Sequence, residues 1–217
     1  MTRRRWWGLP GGPDGGDCRG SGKGAWCQGF ERWGFGWNAV CVELLPYGES
    51  DWPLTAALET DPVVMRYLGG SALNSATGEA RLRMVHDKRV AGAAVGDRYR
   101  TIVPDGGTAP VGVVAIWRTL WQGQFVAELG VMLQADHQRS GLGVAAAWRL
   151  IDEVRAEGTV RELHAFTDVD NDGGTRTCRQ LGFTLLGSCD LDYEGEPLRC
   201  NHWLKPLSPV DQASGAT

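Results

Sequence analysis

The 217-residue sequence lacks any apolar run approaching the ~20 residues that a membrane-spanning helix requires. It also lacks an excess of positive charge. The net charge is −4, whereas a dedicated nucleic-acid binder is usually basic. Neither a membrane nor a nucleic acid is therefore an expected partner. Cys18, Cys27, Cys41, Cys178, Cys189 and Cys200 form no C-x-x-C pair and no framework of short spacings. That pattern speaks for reduced thiols in a cytoplasmic protein. His86, His137, His164 and His202 show no metal-ligand spacing, and no metal is expected. Arg3-Arg4-Arg5 suggests an export signal, but Gly8-Leu9-Pro10-Gly11-Gly12-Pro13-Asp14 stands where an apolar stretch would be needed, so export is not expected.

What is present fits one globular domain. Apolar residues make up 42 % of the chain and charged residues 22 %, and the length allows a sizeable core. Residues 1–37 hold 11 of the 31 glycines and 5 of the 10 tryptophans without helical or strand period. They read as a mostly disordered extension. The folded domain is expected over 42–207, with a flexible tail over 208–217.

From Val42 the pattern is regular. Val42 to Leu45 reads as a strand. Ser50 is placed to cap a helix that Pro62 ends, and a short helix follows from Pro62 towards Leu68 and the Gly69-Gly70 stop. Glu79 to Val90 is helical, with Leu82, Val85 and Val90 on one side. Arg98 to Val103 and Val111 to Trp117 are strands joined through Asp105-Gly106-Gly107, a hairpin signal. Phe125 to Leu133 is a strand. Gly141 to Ala156 is a helix with an apolar stripe of Val144, Ala147, Leu150, Ile151 and Val154. Arg161 to Thr167 is a strand, Thr175 to Leu181 a helix, and Leu185 to Leu191 and Arg199 to Leu204 closing strands. The order predicts a mixed α/β single domain.

The sharpest motif is Gln138-Arg139-Ser140-Gly141-Leu142-Gly143, between a strand and a helix. A glycine-rich turn feeding a helix presents unpaired N–H groups at the positive end of the helix dipole, which suits a pyrophosphate. Gly141 and Gly143 have no Cβ to block its approach. Two weaker patterns fail on their own chemistry. Asp168-Val169-Asp170-Asn171-Asp172-Gly173 opens like a calcium loop, but the twelfth position is Arg179 where a bidentate Glu belongs. Gly20-Ser21-Gly22-Lys23-Gly24 lacks the spacing and the hydroxyl of a phosphate loop.

Ala127 to Leu133, the following Gln134-Ala135-Asp136-His137 and the glycine turn resemble the signature strand and loop of the GNAT N-acetyltransferase superfamily. Asn171 to Phe183 resembles that family's second motif, in which an Asn opens a helix ending in Leu-Gly-Phe. Asp61 to Gly69 is similar to the subgroup of ribosomal-protein-alanine N-acetyltransferases. The resemblance covers about Val42 to Leu207. It implies a central, mostly antiparallel sheet with one splayed parallel strand pair, flanked by helices. It implies acetyl-CoA as co-substrate and an amine acceptor, either a small molecule or a protein N-terminus, with a homodimer compatible. The pantetheine arm would pair with the backbone of Val131, Met132 and Leu133. The pyrophosphate would lie on the amides of Gln138 to Gly143. Asn171, with Arg176 nearby, would contact the cofactor.

Direct attack by an amine needs the ammonium, of pKa about 10, to lose a proton. Glu128 is the candidate base. The acid is where the sequence departs from the family pattern. Many relatives place a Tyr where Cys178 stands, and others a Ser where Gly174 stands. The alternative is therefore a weak or inactive acyl-CoA-binding module.

Overall fold

The computed structural model describes residues 40–68, 78–193 and 196–207. The expected extension over 1–37, the Gly69-Gly70 stop and the tail over 208–217 lie outside them. Among the described residues seven strands form one sheet: β1 Val42–Pro46, β2 Arg98–Pro104, β3 Gly112–Trp121, β4 Gln124–Leu133, β5 Glu162–Asp168, β6 Thr184–Tyr193 and β7 Glu196–Pro206. Their order is β1-β2-β3-β4-β5-β7-β6. All neighbours are antiparallel except β4 and β5. Five α-helices among the described residues accompany the sheet: α1 Trp52–Thr60, α2 Pro62–Met65, α3 Gly78–Gly92, α4 Leu142–Glu157 and α5 Asp172–Gln180. The expected mixed α/β architecture, mostly antiparallel with one parallel pair, is what forms.

The parallel pair follows from connectivity. Parallel strands cannot be joined by a tight turn, and α4 is the crossover between β4 and β5. Alternation in each strand sends one set of side chains to each face. Ile102, Val114, Ile116, Leu129, Leu163 and Ala165 pack under Ala146, Ala147, Leu150, Ile151 and Val154 of α4. The stripe read from the sequence holds, with Val144 only half-buried. Gly158, with φ of 67°, ends α4 by returning its N–H to the carbonyls of Val154 and Arg155. The opposite face carries Tyr47, Leu54, Leu58 and Val113 in a second cluster.

Four expectations change in detail. Ser50 does not cap α1. Asp51 holds the N-cap position, and its carboxylate accepts from the N–H of Gly48 at 2.8 Å. Asp61, accepting from Val63 N–H, caps α2 at Pro62. The buried side of α3 is Leu82, His86 and Arg89 rather than Leu82, Val85 and Val90. Polar partners make this possible: His86 Nδ1 meets the Tyr47 hydroxyl at 2.8 Å, and Arg89 Nη2 donates to Glu59. α5 begins three residues early because Asn171 caps it, its Oδ1 accepting from Gly174 N–H at 2.8 Å. Finally, β3 runs on to Trp121 and turns through Gln122 and Gly123, both with positive φ (48° and 78°). Positive φ at both central residues is the turn that matches strand twist.

Candidate active site

β4 and β5 pair at one position among the described residues, Glu128 with His164. No β5 residue pairs with Val131, Met132 or Leu133 at the C-terminal end of β4. That stretch has an antiparallel partner only on β3, where Met132 faces Val113 and Leu133 faces Gly112. The parallel pair therefore opens beyond Glu128 and leaves one edge of β4 for an added strand-like ligand. The carbonyl of Leu133 already accepts from Gln138 Nε2 at 3.1 Å, which ties the loop to the strand end.

The glycine turn sits at this opening. Gln134 leaves the strand, Ala135–His137 forms one 3-10 turn, and the chain then enters α4. Arg139 and Gly141 both have positive φ (60° and 85°). Ser140 Oγ donates to the His137 carbonyl at 2.6 Å. The first N–H to close onto the helix is that of Ala145, bonded to Gly141 O at 3.0 Å. Ahead of it, the Gln138 N–H donates to Ala135 O at 3.2 Å and the Leu142 N–H reaches Ser140 Oγ at 3.5 Å, while the other amides of the turn are the donors that a helix start leaves over. Arg139, Ser140 and Gly141 are exposed, so these donors are accessible to an anion. Gly143 packs its Cα side on Val131 and Leu133, which joins the glycine turn and the open strand end into one unit.

Asn171 opens α5 as expected, and its Oδ1 is committed to the cap, while Nδ2 lies against Gly174. Arg176 is exposed one turn further on. At Gly174 an added Cβ would lie 3.0 Å from both Asn171 Nδ2 and Thr167 Cγ2, so the family's Ser has little room. Cys178 is buried in the main core, and burial pushes its thiol up to about 12. It is a packing residue, not a proton donor at neutral pH.

Glu128 is half-buried on the face opposite α4. Burial raises its carboxyl to about 7, against the opposing effects of a hydrogen bond from Thr119 and the charge of Lys88. A carboxyl near 7 is matched to proton transfer at neutral pH. Trp117 stands directly across from Glu128 on β3. Its ring lies over Gly130, where any Cβ would come within 2.6 Å of it, and stacks on Tyr99 at 6.2 Å. Burial first, then Asp97, raises the Tyr99 phenol to about 12. On the other side of Glu128, His164 Nδ1 and His202 Nε2 are 2.8 Å apart. Phe166 and Trp121 pack on His202. Thr119, Tyr99, Trp117, His164 and His202 surround Glu128, and the motifs did not reveal them. Only the alternation along β2, β3, β5 and β7 carried a signal for them, by placing them on one face.

A family model described as the acetyltransferase (GNAT) domain matches residues 42–184. No curated protein matches the chain. Among solved structures, the fold is similar to spermidine N-acetyltransferase from Vibrio cholerae in complex with CoA and spermine. The TM-score is 0.62 at 15% identity, over 77% of this chain and 96% of that one. It is also similar to an acetyl transferase from Salmonella typhimurium that modifies the N-terminal serine of ribosomal protein L7/L12. There the TM-score is 0.61 at 17% identity, over 77% and 95% of the two chains. AAC(6')-Ib in complex with ribostamycin and coenzyme A gives 0.62 at 14% identity, over 81% and 99%.

Proposed function

The chain belongs to the acetyltransferase (GNAT) family, and on that premise we propose that it transfers an acetyl group from acetyl-CoA to a primary amine by direct attack. The observation that carries the reading is the junction at Glu128. There a parallel strand pair opens, an exposed glycine turn at the start of α4 lies at the open end, and a carboxyl near 7 stands at the vertex. Similar folds were solved with CoA or with amine substrates, which supports the same chemistry here.

In this reading the pyrophosphate rests on the amides of Gln138 to Gly143. The pantetheine arm adds to the free edge at Val131, Met132 and Leu133, with Asn171 Nδ2 and Arg176 on the far side. Glu128 takes the proton of the incoming ammonium. The amine nitrogen bonds to the acyl carbon, the carbon–sulfur bond breaks, and a second amine proton ends on the leaving sulfur. The acceptor is a small polyamine, an aminoglycoside-like amine or a protein N-terminus. The thiols of Cys178, Cys189 and Cys200 accord with a cytoplasmic location.

The crowded Gly174 and the buried Cys178 favour a second reading, an acyl-CoA-binding module without turnover. Calorimetry with acetyl-CoA, paired with thiol release over spermine, ribostamycin and a peptide beginning with Ser, separates the two. Binding with thiol release supports the enzyme. Binding without release from any acceptor supports the module, and absence of binding removes both.

A further inference from the structure

We propose that His164 and His202 form a relay that carries to solvent the proton taken up by Glu128; this rests on Glu128 being the base. Glu128 and His164 share the one paired position of β4 and β5. Residues in register on adjacent strands are about 4.8 Å apart and project to the same face. His164 is 7% exposed, so a proton arriving there needs a partner to leave.

That partner is His202. The two rings are nearly parallel, at 16°, with centroids 5.1 Å apart and Nδ1 of His164 2.8 Å from Nε2 of His202. The centroid separation is too long for rings stacked in contact and fits two rings joined edge to edge by that bond. One nitrogen donates and the other accepts, so the pair shares one proton along the line. His202 is half-buried, and Phe166 and Trp121, with ring centroids at 4.7 and 5.3 Å, hold its ring in place. The relay thus runs from a buried ring beside Glu128 to a ring nearer the surface.

The steps balance. A proton from Glu128 crosses through a bridging water to Nε2 of His164, the ring nitrogen that also faces Glu162. The Nδ1 proton of His164 moves to Nε2 of His202, and the Nδ1 proton of His202 passes to water. Tautomer exchange resets both rings. The net result is one proton released per amide bond formed. The charged groups facing the pair are Glu128 from β4 and Glu162 from β5, whose Oε1 is 3.4 Å from His164 Nε2. Asp168 and Cys200 lie further along the same face. Burial, then the neighbouring His164, holds the His202 imidazole below its ordinary value, which favours release at neutral pH.

The test uses the full chain with whichever of spermine, ribostamycin or the Ser-initiated peptide supports turnover. His202→Phe keeps a ring against Phe166 and Trp121 but removes both nitrogens; His164→Gln and His202→Gln are made alongside. At low buffer concentration kcat is expected to fall about 100-fold, the lower end of what positioned proton transfer contributes. The KM for acetyl-CoA stays unchanged, and added imidazole restores rate to the variants without accelerating the wild type. An unchanged kcat at low buffer, or a loss in all three folded variants that imidazole does not relieve, overturns the relay. A wild type that turns over while Glu128→Gln is unimpaired instead overturns the base assignment. Failure of all three acceptors removes the transferase reading on which both stand.

Discussion

The hydroxyl of Thr119 donates a hydrogen bond to Oε2 of Glu128 across the β3–β4 pair. It is the one neighbouring hydroxyl that favours the ionised carboxyl against its burial. In Thr119→Val that donor is gone, and Glu128 rises above about 7. The acidic limb of the kcat/KM profile is expected to move up by about one pH unit, equivalent to ~1.4 kcal/mol withdrawn from the carboxylate. The high-pH plateau is retained. A limb that stays in place shows that the group titrating in the profile is not Glu128.

Glu128→Gln keeps the size of the side chain but cannot accept a proton as a carboxylate does. Turnover is expected to fall ~100- to 10,000-fold with acetyl-CoA affinity nearly unchanged. The defect shrinks as pH rises, because more amine arrives neutral. Rates equal to wild type across neutral pH would make Glu128 structural. A defect of the same size at every pH points to a misplaced strand.

The same substitution has a stability signature. A carboxyl that titrates higher in the folded than in the unfolded state binds its proton more tightly when folded. Wild-type stability therefore falls as pH rises from the ordinary carboxylate range through about 7. Glu128→Gln carries no such loss. Its Tm is expected to exceed that of the wild type by about 2–4 °C at pH 8, the shift that ~1 kcal/mol gives in a chain of this length. The two should converge below pH 5. Parallel Tm curves in a pH series from 4 to 9 would contradict the raised value.

Gly141 enters α4 with φ of 85°, and a Cβ there would meet Val40 Cγ2 at 3.3 Å. Gly141→Ala is expected to cost ~1–2 kcal/mol and to weaken acetyl-CoA binding. Gly141→Glu adds a negative charge and should abolish binding. Gly96→Ala is the control: its φ is 93° with open space around the Cβ. It should lose comparable stability and keep full affinity by calorimetry. Equal affinities in all three would place the pyrophosphate elsewhere.

Arg89 and Glu59 form a buried ion pair, with side chains 10% and 4% exposed. Arg89 also reaches Met132 Sδ at 3.5 Å, behind the open end of β4. Arg89→Met leaves Glu59 buried without its partner, and a loss of ~3–5 kcal/mol is expected in urea unfolding. The paired change Glu59→Leu with Arg89→Met should recover part of it. A loss under 1 kcal/mol for the single change would mean that the pair is solvated.

Elements with a strong repeating signal were legible in advance. The α4 stripe through Leu150, Ile151 and Val154 shows because a surface helix must bury one face, and alternation shows strands for the same reason. Gly141 was legible because its chemistry is local: the turn needs an absent Cβ and a following helix. Burial of His86 and Arg89 was not legible, since their partners Tyr47 and Glu59 lie 39 and 30 residues away. Gln122-Gly123 carries no plain hairpin signal because Gln seldom takes positive φ, so the sequence pattern of β3 stops short of Trp121.

The sequence by itself determined the order of helices and strands, the glycine turn at Gln138 to Gly143 and the candidacy of Glu128, because each depends on neighbours along the chain. Only the tertiary structure decided what Glu128 is. Its partner Thr119 comes from β3, Trp117 settles over Gly130, and His164 and His202 come from β5 and β7. The value of a titrating group is set by burial and by charges and donors within a few ångströms, whatever their separation in sequence. Those distances exist only once the sheet has closed.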